Sequence, residues 1–228
     1  MSEPNLLPPK RLAGPDTGSQ MQQAYLRIEE MIVTLQIAPG QAVSEKSLAQ
    51  TLNLGRTPVR EALQQLAREG LVVILPQRGI LVSEIDIARQ LRMLEFRRSV
   101  EQFMVAAAAR RATAEERGRF AVLAQHFADA AGGESWQDFL ALDVVFSQEL
   151  ANCARNEFAT GAMKLMHGLS RRFGYAFDRR SESLLRIARL HADVAAAIAA
   201  GDEAAAVAGI DVLIDAVEAF TRRTLDLL

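Results

Sequence analysis

The sequence predicts a mainly α-helical protein: an N-terminal winged helix-turn-helix followed by a C-terminal all-helical bundle of about six helices. Three observations carry this. Apolar residues recur at helical spacing over most of the chain. The one β-branched run, Leu71 to Leu75, stands before a turn and a second short run, Ile80 to Val82. Everything after that point again has helical periodicity. With 228 residues, 50% apolar and 24% charged, the chain can bury one large core or two modest ones, which excludes disorder for most of it.

Residues 1–20, with Pro4, Pro8, Pro9, Gly14, Pro15 and Gly18, read as a flexible arm. From Met21 a first helix is expected, with Tyr25, Ile28, Ile32, Val33 and Leu35 at helical spacing up to Ile37, where Ala38-Pro39-Gly40 stops it. Ser44 is the N-cap candidate of a second, short helix with Leu48, Ala49 and Leu52 as its buried stripe, ending near Asn53. A third helix, Arg56 to Arg68, places Val59, Ala62, Leu63, Leu66 and Ala67 on one face, and Gly70 ends it. Leu71 to Leu75, the turn Pro76-Gln77-Arg78-Gly79 and Ile80 to Val82 form a hairpin. These elements define a winged domain over 21–83 and a helical domain over 84–228, the latter with helices at 84–111, 114–131, 136–153, 156–178, 182–200 and 202–227. Thr113 with Glu116 is a capping box, and Ser135 and Ser181 precede periodic runs. Gly132-Gly133 and Gly201 interrupt them. The alanine-rich stretches lie inside periodic helices, where small side chains let neighbours approach closely.

Composition narrows the function classes. The apolar runs Val105 to Ala109 and Val194 to Ala200 fall far short of the roughly 20 residues that span a bilayer. The N-terminus has neither a basic start nor an apolar core of the kind a secretory signal carries, so a cytoplasmic protein is expected. Cys153, the one cysteine, reads as a packed, reduced thiol. Residues 1–83 carry eight Lys or Arg against seven Asp or Glu, and the remainder eighteen against twenty-one. Neither part is a polycation, so any nucleic acid would be held by a few placed arginines.

Those arginines have a place. With the apolar stripe of the third helix turned inward, Arg56, Arg60 and Gln64, spaced four apart, fall on the opposite face, where a major groove could receive them. Thr57 adds a hydroxyl beside the open N–H groups of the first turn, a place for a phosphate. Gln77, Arg78 and Gly79 form the hairpin tip, where the missing side chain of Gly79 lets the backbone come close.

The run from Leu35 to Asp86, with Gly55-Arg56-Thr57-Pro58-Val59-Arg60-Glu61-Ala62-Leu63, Glu69-Gly70-Leu71 and Gln77-Arg78-Gly79, resembles the DNA-binding domain of the GntR family of bacterial transcription regulators. The resemblance implies that Arg56 and Arg60 read an operator, that Lys46 and Thr57 hold phosphates, and that the wing tip reaches the minor groove. Gly55 stands where that family usually has a serine N-cap, which removes one cap hydrogen bond and leaves an acceptable cap. Glu61 reads as a surface carboxylate rather than a base contact.

Further on, Glu95-Phe96-Arg97-Arg98-Ser99-Val100-Glu101 resembles the opening helix of the FCD-type effector domain of the FadR subfamily, and His191 with Gly201-Asp202 its penultimate segment. Six helices place it nearer the VanR-like branch. Such domains commonly hold a divalent metal on one Asp and three His. At the corresponding positions this chain keeps Asp143 and His191 but has Ser147 and Leu213, so no metal or other cofactor is expected. Arg97, Asp143, Ser147 and His191 are instead candidates for binding a small, carboxylate-bearing effector, Arg97 as its bidentate partner. Alternatively Arg97 pairs structurally with Glu101 or Asp143, and His191 is an ordinary, partly buried histidine. Asn156 reads as a helix cap, His126 and His167 as surface or core residues, and Arg171 and Arg172 beside Phe173 stay undecided between pocket and solvent.

The functional expectation is a ligand-responsive, homodimeric regulator on a palindromic double-stranded operator, and the resemblance implies a repressor, the more common role in such families. A ligand-independent architectural DNA binder is the alternative, and a helical-bundle enzyme the remoter one. The enzyme reading has little to rest on: the sequence holds no HExxH, P-loop, GxGxxG or Glu-x-x-His pair, and Lys164 is the one lysine beyond Lys46 that a fused pyridoxal-phosphate enzyme could use.

Overall fold

Helix starts and stops in the computed structural model follow local chemistry. It describes residues 19–76, 79–131, 135–177 and 182–225. The N-terminal unit, within those residues, holds 19–86 together with Lys164–Phe177. Its first helix, α1 (Gln20–Val33), is capped by the Ser19 hydroxyl, which accepts from the Gln22 N–H. It ends four residues before the expected Ile37. Leu35 adopts a φ of 58°, and the Ile37 N–H turns back to the Met31 carbonyl at 3.0 Å. Ile37 is buried all the same, which is why its periodicity reads as helix.

After α1 comes a strand the sequence reading lacks, β1 (Ala42–Val43). Then α2 (Glu45–Leu52) begins at Ser44, whose hydroxyl accepts from the Ser47 N–H, and ends at Asn53 in the left-handed region. Next, α3 (Arg56–Arg68) starts at Gly55 without a side-chain cap. The hairpin is β2 (Val72–Leu75) and β3 (Gly79–Val82), antiparallel with Leu75 opposite Gly79. β1 pairs with the other edge of β3, so the expected two-stranded wing is a three-stranded sheet of order β1-β3-β2. Two residues are too few to show a period, which hides β1 from the sequence. Ile28, Ile32, Val59, Leu63, Leu66 and Leu71 form the centre of this core.

The helical unit comprises Ile87–Met163 and, within the described residues, 182–225. Its helices are α4 (Ile87–Arg111), α5 (Ala114–Ala130), α6 (Trp136–Ala154), the start of α7 (Glu157–Phe177), α8 (Glu182–Ala200) and α9 (Glu203–Leu225). All six fall where the periodicity puts them, apart from α4, which starts three residues later than expected. The Thr113–Glu116 capping box is complete, and Ser135 and Asn156 each accept from an N–H three residues on. Ser181 and Gly132-Gly133 lie outside the described residues. Small residues do bring helices together: a Cβ on Gly209 of α9 would stand 2.9 Å from Val194 Cγ2 of α8.

The sequence places the domain boundary at 83/84. The contacts divide the chain between Asp86 and Ile87, and they also group Lys164–Phe177 of α7 with the N-terminal unit. Gly168 makes that packing possible, since a Cβ there would meet Leu71 Cδ1 at 2.7 Å.

Two tests follow from this packing. Leu63 is 1% exposed, so Leu63→Ala should cost about 2–5 kcal/mol in chemical denaturation of the full chain. The Glu116 carboxyl is held down to about 2, first by the Thr113 N–H and then by Arg155. A carboxylate depressed in the folded state stabilises above its unfolded pKa, and that gain is lost as pH falls through the folded value. Glu116→Gln should therefore lower the melting temperature at pH 7, and the difference from the wild type should shrink below about pH 4.5 and vanish near pH 2.

Candidate functional site

Burial of Val59, Ala62, Leu63 and Leu66 turns Arg56, Thr57, Arg60 and Gln64 of α3 to solvent, as the spacing requires. Lys46 of α2 and Gly79 of β3 meet them. Lys46, Arg56, Arg60, Gln64 and Gly79 all line one groove of about 460 Å³ between the two helices and the sheet. Thr57 is exposed in the first turn of α3, beside it in sequence but not part of its lining. Gly79 has a φ of 99°, so the strand enters the groove rim with a backbone that a side chain would strain. Gln77 and Arg78 lie outside the described residues.

The floor of this groove carries a contact that the sequence does not announce. Arg60 grips Glu45, the first residue of α2, with Nε donating to Oε1 and Nη2 to Oε2, both at 2.8 Å. The Arg60 hydrogen bond holds the Glu45 carboxyl below the usual carboxylate range, and Arg56 adds to the effect. Fifteen residues separate the partners. By itself Glu45 reads only as a first-turn acid favoured by the helix dipole.

A second polar cluster anchors the end of α7 within the N-terminal unit. Tyr25 donates to Glu69 at 2.8 Å, Gln65 donates to the same carboxylate at 3.0 Å, and Arg171 stands 3.7 Å from Glu29. Burial pushes the Glu69 carboxyl up, and burial with the nearby Glu29 and Glu69 raises the Tyr25 hydroxyl. Arg172, 2% exposed, donates to the Ser83 carbonyl at 2.8 Å. The undecided Arg171-Arg172 pair is therefore turned into the protein.

In the helical unit the structure brings His191 and Asp143 together: His191 Nε2 lies 3.4 Å from Asp143 Oδ1. His191 Nδ1 donates to the Ile187 carbonyl at 2.8 Å, which fixes the ring. Phe127, Phe139 and Phe146 enclose it, with ring centroids 5.0, 5.3 and 5.7 Å away. Ser147 is half-buried one turn beyond Asp143 on α6. Arg97 takes the structural pairing that the sequence left open: its Nε and Nη2 donate to Glu101 at 2.9 and 3.0 Å, in a nearly dry setting. Cys153 is buried, and burial first, then Glu116 and Glu149, push its thiol up to about 12, far from a reactive thiolate.

The metal implied by the FCD resemblance does not suit this donor set. Asp143 and His191 supply two ligands, Ser147 is a poor third, and Leu213, 1% exposed, offers only methyl groups. Among the described residues no group of three or more His, Cys, Asp or Glu converges. Nor is any described helix long and apolar enough to cross a membrane.

A winged helix-turn-helix with arginines on its exposed third helix, followed by an apolar helical bundle that encloses the His191–Asp143 pair, is the arrangement of a DNA-binding regulator with a second, helical domain. The chain belongs to the GntR family: residues 20–82 match the family model for bacterial regulatory proteins of the gntR family, and residues 92–216 match the FCD domain. Relatives agree. The HTH-type transcriptional repressor RspR of Escherichia coli K12 is 32% identical over 78% of either chain. An HTH-type transcriptional regulator of Streptomyces ambofaciens is 47% identical, over 34% of this chain and 33% of its own length. The solved structure of E. coli McbR/YncC shares the fold, with a TM-score of 0.77 at 17% identity, covering 91% of this chain and 99% of that one. The protein is thus a DNA-binding transcription regulator of the GntR type with an FCD domain.

The buried Arg97–Glu101 pair makes a direct test of the bundle interior. Glu101→Ala removes the carboxylate and leaves a guanidinium in a dry site, which should cost about 3–5 kcal/mol in denaturant unfolding.

Proposed function

We propose that this regulator is a cytoplasmic, ligand-responsive repressor that binds a palindromic operator as a homodimer and whose DNA binding responds to a small carboxylate-bearing metabolite. The groove that collects Lys46, Arg56, Arg60, Gln64 and Gly79 carries the DNA half of this reading. Lys46 and Thr57 serve as phosphate contacts, Arg56, Arg60 and Gln64 reach base edges, and Gln77, Arg78 and Gly79 are assigned minor-groove contacts. Self-association follows from the two-fold symmetry proposed for the operator, and Phe96 and Phe103, two turns apart on α4 and 57% and 42% exposed, are candidates for the surface on which two chains would meet.

Selection of bound duplexes from a random pool by the full chain tests the DNA half. The recovered sites should have two-fold symmetry, with two chains per duplex in sedimentation. Arg56→Ala or Arg60→Ala should weaken binding to them by about 1–3 kcal/mol with little change in melting temperature. Unaltered affinity in both variants would overturn the assignment.

The effector half rests on the polar group enclosed in an apolar bundle: Asp143, His191 and Ser147, with Arg97 on a neighbouring helix. A carboxylate would meet the Arg97 guanidinium, while Ser147 and His191 supply directional hydrogen bonds. A panel of small carboxylic acids should contain one that raises the melting temperature and changes the affinity for the selected duplex, and Ser147→Ala should weaken both responses. A chelator should change neither property, and one tightly held metal ion per chain would overturn the metal-free reading. A panel without any hit would favour the architectural alternative.

A further inference from the structure

The Glu45–Arg60 contact extends the DNA-binding assignment from where Arg60 lies to what it selects, and it rests on the reading of Arg60 as a base contact. A guanidinium has two edges able to serve a pair of acceptors: the side edge, formed by Nε and one Nη, and the end edge, formed by both Nη groups. Glu45 occupies the side edge of Arg60 through Nε and Nη2, both at 2.8 Å. Nη1 and the second hydrogen of Nη2 have no acceptor among the described residues. The Arg60 side chain is 59% exposed and that of Glu45 29%, so the carboxylate is the better-anchored partner, and the end edge, on a side chain that lines the groove, stays open to an incoming acceptor. Glu45 is itself held in place by the α2 N-terminus, where the Ser44 cap orders the first turn.

We infer that Glu45 is a positioning residue that sets base choice: by holding the side edge of Arg60, it presents the end edge to N7 and O6 of a guanine in the major groove. Two physical consequences separate this from an incidental surface ion pair. Pairing with a carboxylate neutralises Arg60 as a point charge, which lowers its general attraction to phosphates and the counterion release that goes with it. What remains is a pair of directed N–H groups. Guanine answers them with two acceptors, whereas adenine answers with one acceptor and one clashing donor. Glu45 therefore trades unselective affinity for discrimination at one base pair.

The test compares the full-length wild type with Arg60→Ala and Glu45→Gln in selection from a random duplex pool, with melting temperatures recorded for each. Arg60→Ala identifies the position that Arg60 reads, because the preference there disappears. In the wild type that position should be guanine. Glu45→Gln should relax its preference by about tenfold, the scale of one bidentate base contact, while binding to unselected duplex is unchanged or tighter and its salt dependence steeper. Glu45→Asp, which keeps the charge but withdraws it by one methylene, should fall between the two. Full retention of the guanine preference in Glu45→Gln, with or without a lower melting temperature, would overturn the inference and leave Glu45 a helix-terminus carboxylate. A wild-type preference other than guanine would also overturn it. If Arg60→Ala alters no position, the base-reading assignment of Arg60 itself fails, and the inference with it.

Discussion

The burial of one face of α3 is the constraint on which the DNA-facing side depends. Val59, Ala62, Leu63 and Leu66 are all within 1% of complete burial, against α1 and the sheet. Rotating the helix to present different residues would expose this stripe, at roughly 1.5–3 kcal/mol for each large side chain. The exposed face is therefore a consequence of the core: Arg56, Arg60 and Gln64 stand outward because the residues between them cannot. The same core seats β2 and β3, and so places Gly79 on the rim of the groove that α3 forms with α2.

The helical unit shows the opposite relation between polarity and burial. Its interior holds an ion pair, Arg97–Glu101, and a histidine facing a carboxylate, His191–Asp143, both largely withdrawn from water. Such groups seldom repay their desolvation in stability, and a hydrocarbon pair of similar volume would often do better. Their presence in an alanine-rich bundle is thus a stability cost for which the proposed effector-binding role would account. Three phenylalanine rings around His191 keep that polarity in a water-poor setting, where a directed hydrogen bond is strengthened.

Legibility followed the range of the interactions. Caps at Ser44, Thr113, Ser135 and Asn156 could be read directly, because each joins a hydroxyl or amide to an N–H three residues away. Ile37 misled, since periodicity reports burial rather than helicity, and Ile37 is buried beyond a chain reversal at Leu35. The pairing of Arg97 was open because Glu101 and Asp143 were both acceptable carboxylates, and packing shows that Glu101, four residues on, is gripped through Nε and Nη2.

The sequence by itself determined the helices, the hairpin, the outward face of α3 and the family, because these depend on residue type at short spacing. Tertiary structure alone decided that β1 completes the sheet, that Lys164–Phe177 packs with the N-terminal unit through Gly168, and that Glu45 meets Arg60 and Tyr25 meets Glu69. The physical reason is common to all of them. A side chain's partner across 15 or 44 residues is chosen by the folding of everything between them, and no local period records that choice.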